Sequence, residues 1–207
     1  MKNVGILGGT FDIVHNGHLE VATVVAELLG LEKVFLVTAG QPPHKLSQVS
    51  DSEFRHELVV VAVADLPHLE ASRIELDRPG LSYTYNTVVE LKSQLSASAG
   101  EEVNINFILS AEYLDPSNPS NVTTWEEAEA FLQLVNLVVV PRGQYTAELA
   151  RGWASQLNLD NVRILEQAVS PLSSGVVRDA LRQGHSIDTL VPAKVAELVK
   201  QRGLCYR

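Results

Sequence analysis

"GILGGTFDIVHNGH", Gly5 to His18, is the stretch that decides how this chain folds. It starts in an apolar, strand-like run, Val4 to Leu7, and breaks into Gly8-Gly9-Thr10. It ends on His15-Asn16-Gly17-His18, where a helical pattern begins. Glycines directly after a strand let the backbone turn tightly and let a ligand approach with no Cβ in its way. A helix opening near Gly17 aims unpaired N–H groups and a positive dipole end at the same place, which favours an anion. His15 and His18 add imidazole donors, which can hold phosphate oxygens whether neutral or charged. Either histidine alone reads as a surface polar residue; the constellation reads as an anion site. It is not a Walker loop, since no GK[ST] follows, and it is not GxGxxG.

Beyond this stretch the chain repeats one unit, a short β-branched run followed by a longer helical pattern. Strands are expected at Val4–Leu7, Lys33–Thr38, Ile105–Leu109, Leu137–Val140 and Val162–Leu165, with a weaker one near Leu69–Ile74. Helices are expected at His18–Leu29, Glu53–Ala64, Tyr85–Ser96, Trp125–Leu134, Ala147–Gln156, Ser174–Gln183 and Ala193–Gln201. Several strands are continuously apolar, as strands covered on both faces are. "ELVVVAVADL" has strand-like valines but the length and flanks of a helix, and is taken as helix. The alternation predicts an α/β fold, a doubly wound, mostly parallel sheet with helices on both faces. Ligands of such sheets bind beyond the carboxyl ends of the strands. The chemically interesting segments "GGTFDIVHNGH", "AGQPPHK", "SAEYL", "PRGQY" and "SPLSSGVVR" all follow strands.

The 207 residues show no internal boundary and no repeat, and 45% hydrophobic content supports one substantial core. The formal charge of -9 argues against a nucleic-acid-coating surface. The single cysteine, Cys205, allows no disulfide within the chain. No secretory h-region or membrane-length apolar run is visible, so the expectation is a soluble, cytoplasmic protein without nucleic-acid or membrane partners. Homo-oligomerisation stays open.

A second anion site is legible in "SSGVVR". Ser173 or Ser174 can cap the helix it opens, leaving backbone N–H groups for oxygens. Ser174 and Arg178 are four apart, on one helix face, and Arg178 offers a planar fork suited to phosphate. Lys45 follows two prolines that stiffen its loop, and Arg142 follows a strand.

The segment GGTFD-x-x-H-N-G-H resembles the first signature of the HxGH nucleotidyltransferases, and its wording is similar to that of bacterial nicotinate mononucleotide adenylyltransferases. "PPHK", "RHELV", "LSYTYNTVVEL", "TTWEEAE", "VVVPRG", "LSSGVVR" and "LVPAKVAELVKQRGLCY" extend the resemblance, in order, over nearly the whole chain. It implies a Rossmann-like nucleotidyltransferase domain over 1–207, with 171–207 a C-terminal helical part carrying the second phosphate motif. The implied reaction transfers AMP from ATP, with Mg²⁺, to nicotinate mononucleotide, releasing pyrophosphate. The implied catalytic residues are His15, His18 and Arg178. The implied ATP cradle is Gly8, Gly9, Thr10, Phe11, Ser173 and Ser174. Lys45, Thr84, Glu112, Trp125 and Arg142 are implied for the acceptor, with Lys45 on its phosphate and Trp125 stacked on its ring. No residue is assigned to holding a metal.

The sequence departs from the family pattern in three places. Gly175 stands where S-x-T-x-x-R has threonine, Ser110-Ala111-Glu112 where Gly-x-Asp is usual, and Ile13 where proline is common. Gly175 and Ser110-Ala111-Glu112 keep two alternatives in play: the same chemistry on nicotinamide mononucleotide or another phosphorylated acceptor, and a non-catalytic nucleotide-binding relative.

Overall fold

The computed structural model describes residues 2–42, 49–167 and 169–203. The β-branched runs form β1 (Lys2–Gly9), β2 (Lys33–Thr38), β3 (Leu69–Ser72), β4 (Val103–Ser110), β5 (Asn136–Val140) and β6 (Val162–Ile164). They make one sheet in the order β3-β2-β1-β4-β5-β6, and every pairing is parallel. The order reverses between β1 and β4, the switch point at which doubly wound sheets open a crevice for ligands.

The helices are α1 (Asn16–Leu29), α2 (Ser52–Val63), α3 (Thr84–Ala99), α4 (Ala128–Leu134), α5 (Ala147–Gln156), α6 (Ser174–Arg182) and α7 (Ala193–Gln201). On one face of the sheet, Leu7, Leu36, Ile108 and Val138 pack against Val25 of α1, Leu58 of α2, Val177 of α6 and Val195 of α7. On the other, Ile6, Phe35, Ile105 and Leu137 pack against Val88 of α3, Phe131 of α4 and Ala154 of α5. Burial on both faces is why the central strands carry uninterrupted apolar runs. The expected fold class is the observed one. No described helix is long and apolar enough to cross a membrane.

"ELVVVAVADL" lies in α2, which buries Leu58, Val59, Ala62 and Val63 along one stripe while Val60 stays 45% exposed. Helical spacing with one apolar stripe overrides the strand preference of its valines. The helix expected from Trp125 begins instead at Ala128. Asn121 accepts the amide of Thr123 at 3.1 Å and starts a short 3₁₀ turn over Val122–Thr124. Glu127, at φ 53, then turns the chain into α4. Trp125 therefore sits on a loop. Lys45 and Cys205 lie outside the described residues.

Candidate active site

β1 is a central strand, yet its next-to-last residue, Gly8, is exposed. A Cβ built there would meet nothing nearer than Phe107 Cζ at 3.9 Å, so the end of β1 is open. The chain leaves β1 through Phe11, whose buried ring stands edge-on to His18 with centroids 5.0 Å apart. Gly9 makes room for it: a Cβ at Gly9 would come within 2.8 Å of the Phe11 ring.

His15 caps α1, and its amide donates to His18 Nδ1 at 3.2 Å. With Nδ1 accepting, a neutral His18 carries its proton on Nε2. The two rings stack at 3.7 Å, with His15 only 1% exposed and His18 half-buried above it. Burial pushes His15 down to about 4, and the Arg142 charge adds to this. His18 is held well below its ordinary value by burial, then by His15 and Arg142. Both imidazoles are neutral donors until an anion arrives to favour their charged forms.

α6 is stitched onto the same loop. Ser173 caps it by accepting the Val176 amide at 3.3 Å, and Ser174 Oγ donates to the Ile13 carbonyl at 2.8 Å. Arg178 donates to the Asp12 carbonyl. Arg142, at the end of β5, donates to the Leu172 carbonyl, fastening the strap that leads into α6. The N-termini of α1 and α6 thus flank one loop, and both favour negative charge. A Cβ at Gly175 would lie 3.5 Å from Ser173 Oγ, an ordinary contact, so the missing threonine hydroxyl is not forced by crowding.

A cleft of about 420 Å³ runs beside the imidazole pair. His15, His18, Ser110, Arg142 and Ser170 contribute its polar lining, and Leu7, Val21, Ile108, Val140 and Val169 its apolar lining. Three buried side-chain polar atoms lack a partner among the described residues: His15 Nδ1, His15 Nε2 and Ser110 Oγ. All three belong to residues of this one cleft. Buried polar groups are otherwise almost always paired, so their clustering marks a place shaped for a polar ligand.

The framework around α2 and the start of α3 is built differently. Arg55, 1% exposed on α2, donates to the carbonyls of Thr10 at 2.6 Å, Gly40 at 3.2 Å and Ser50 at 2.9 Å. It ties the loop after β1 to the loop after β2. Ser82 Oγ accepts the amides of Gly40 and Gln41 at 3.0 and 3.1 Å. Thr87 Oγ donates to Glu75 at 2.7 Å and accepts from Arg78 at 2.8 Å. A Cβ at Gly40 would strike the Glu75 carbonyl at 2.5 Å, so glycine is what allows this approach. Thr84, the first residue of α3, is half-buried beside this framework.

Trp125 is half-buried, its Nε1 donating to Ser120 O at 2.9 Å. Its ring packs edge-on to Phe107 and Tyr113. Trp125 and Phe107 pack in the cluster on the α3–α5 face of the sheet, opposite the face that carries Leu7 and Ile108. Glu112 is half-buried on the 3₁₀ turn Ala111–Leu114, directly after Ser110. Burial and the Glu112 charge raise Tyr113.

The structure thus gathers His15, His18 and Arg142 in one cleft and draws Ser174 and Arg178 onto its loop. Thr84 and Trp125 stand with α3 and the Phe107 side. Arg142, expected with the acceptor group, stands beside the imidazoles. Sequence reasoning missed Arg55 as a tie between loops. Its signal was a charged residue in register with Leu58, Val59 and Ala62, at i+3, i+4 and i+7 on the buried stripe of α2.

A doubly wound sheet with two helix N-termini and an imidazole pair at its switch point defines a nucleotide-handling fold. The chain belongs to the cytidylyltransferase-like family, whose model matches residues 6–180. It is 36% identical over 205 residues to a protein of Thermus thermophilus named "Probable nicotinate-nucleotide adenylyltransferase", covering 99% of each chain. It is 34% identical to a protein of the same name from Acidothermus cellulolyticus, covering 99% of this chain and 94% of that one. Its fold also matches the Plasmodium falciparum nicotinic acid mononucleotide adenylyltransferase, solved in complexes with APC and with NaAD. The TM-scores are 0.75 and 0.76 at 14% identity, covering 99% of this chain and 97% of those.

Proposed function

We propose that this protein transfers AMP from ATP to nicotinate mononucleotide, forming the deamido dinucleotide and pyrophosphate. The observation that carries the reading is the single cleft in which every unpartnered buried side-chain polar atom among the described residues falls. Full-length similarity to relatives named for this reaction supports it.

An acceptor phosphate oxygen attacks the α-phosphorus of ATP; the new P–O bond forms as the bond to the β-phosphate oxygen breaks, and pyrophosphate leaves with that electron pair. The acceptor is already an anion, so the protein's task is positioning and charge stabilisation rather than proton removal. His18 Nε2–H donates to oxygens at the reacting phosphorus, with His15 stacked behind it. Arg178 and the N-terminus of α6 hold the departing phosphates. The apolar floor beside Val140 and Ile108 takes the base. Lys45 and Thr84 serve the acceptor, whose ring stacks on Trp125.

Among the described residues no group of three His, Cys, Asp or Glu side chains stands together to hold a metal ion. Mg²⁺ would enter with the triphosphate and neutralise part of its charge.

The test is pyrophosphate release by purified protein with ATP, Mg²⁺ and either nicotinate or nicotinamide mononucleotide. Release with the nicotinate acceptor, and at a clearly higher kcat/KM than with the amide, is expected. ATP binding without product from any pyridine acceptor would replace this reading with that of a nucleotide sensor.

A further inference from the structure

We propose that Asn16, between the two histidines, is a positioning residue through which the turn before α7 aims the imidazole pair. The inference rests on the transferase reading of the cleft and goes further. Asn16 stands outside the cleft lining to which its neighbours His15, Gly17 and His18 belong.

The other side chains of the motif are otherwise engaged. His15 and His18 stack their rings on each other, and Gly17 has no side chain. Asn16 is exposed, and its Nδ2 donates to the Thr189 carbonyl at 3.2 Å, 173 positions along the chain. Its backbone amide, an orphan donor at the first position of α1, donates to the adjacent Leu190 carbonyl at 3.0 Å. The receiving turn is firm. The Ile187 carbonyl accepts the amides of Leu190 at 2.8 Å and Val191 at 3.1 Å. Ile187 and Val191 are buried in the core that also holds Val14, just ahead of the histidines, and Val195 of α7.

These bonds bear directly on His18. The peptide joining His15 to Asn16 is held from both edges: its N–H donates to Leu190, and its C=O accepts the His18 amide at 2.9 Å. The preceding amide, that of His15, is the one that donates to His18 Nδ1. A peptide unit is planar, so pinning this one also limits where the neighbouring amide can point. Two bonds from one residue to consecutive carbonyls therefore set the backbone from which the His18 ring is aimed. A donor aimed at a reacting phosphorus needs such support, because small misplacements are costly in rate.

Asn16→Ala and Asn16→Gln are compared with wild type by pyrophosphate release, by Tm, and by ¹⁵N NMR of the imidazoles. The NMR is run on nucleotide-free protein above the ordinary histidine pKa. In Asn16→Ala, kcat should fall about tenfold, while KM for ATP and for the acceptor stays within about twofold. Its Tm should stay within about 4 °C of wild type, since the bond lost is an exposed one. The His18 ring nitrogens, Nδ1 bare and Nε2 protonated in wild type, should move toward each other as the tautomer loosens. Asn16→Gln keeps an amide donor and should recover most of the kcat. An unchanged kcat, ring nitrogens that do not move, or no recovery with glutamine overturns the proposal. So does a larger fall in Tm, which makes the loss one of folding. If wild-type protein releases no pyrophosphate from any acceptor, the transferase reading falls, and the ring nitrogens alone decide the role of Asn16: movement sustains it, constancy ends it.

Discussion

Two regions near the carboxyl ends of the strands carry polar groups in opposite states. Around α1, the ring nitrogens of His15 and the Ser110 hydroxyl oxygen are buried without a hydrogen-bond partner among the described residues, and burial holds His15 and His18 below their ordinary value. On the α2–α3 side, Arg55, Ser82 and Thr87 each make two or more hydrogen bonds to neighbouring loops. A saturated network fixes shape, and an unsaturated one waits for a ligand. The first region has polar atoms left to meet an arriving anion; the second is scaffolding that keeps two loops at a set distance.

Removing one group from each side measures this contrast. His18→Ala should lower kcat by about 10²- to 10³-fold, the usual loss on deleting a donor aimed at developing charge. Its ATP affinity, by titration, should change far less. Arg55→Met should do the reverse. It strands three carbonyls and should destabilise the fold by about 3 kcal/mol, lowering Tm by about 6–12 °C in a chain of this size. A Tm unchanged by Arg55→Met would break the scaffold side of the comparison.

A pH series sharpens the other side. The folded value of His15 lies at about 4, below its ordinary 6.5, with burial as the main cause. Between those values the unfolded chain binds a proton that the folded protein refuses, so stability rises with pH there. Stability should be complete above about pH 6.5 and decline toward pH 4 by about 1.4 kcal/mol per unit for each such histidine. Urea unfolding at stepped pH reads the slope. A bound triphosphate favours the charged imidazoles, so ATP binding in the same window should take up protons, seen as buffer-dependent heats. Smallest in effect is Gly175→Thr, which the open space at that position accommodates. It should tighten ATP binding about two- to fivefold and add about 0.5–1 kcal/mol by removing a flexible glycine from the first turn of α6.

The fold was legible because each strand announces itself as a short β-branched run covered on both faces. Where reading failed, a local hydrogen bond had intervened: Asn121 captures the Thr123 amide and delays the helix expected at Trp125. The imidazole pair was legible as spacing, since a cap residue and its third helical neighbour must meet. Arg142 was legible as a candidate but its place beside the imidazoles was not, because its neighbours depend on strand order. β5 lies beside β4 and two strands from β1, and nothing in "PRGQ" states that. The Arg55 tie was hidden for the same reason, as its three carbonyls come from segments up to 45 residues away.

Gly8 carries a practical lesson for anyone mutating this chain at random. Its surroundings leave a methyl group ample room, so Gly8→Ala would pass a thermal-shift screen untouched. On the ATP-cradle role that the family resemblance implies for Gly8, the same methyl would obstruct the nucleotide. Selection for expression alone would therefore accumulate crippled variants at this position, and only an assay of turnover would reveal them.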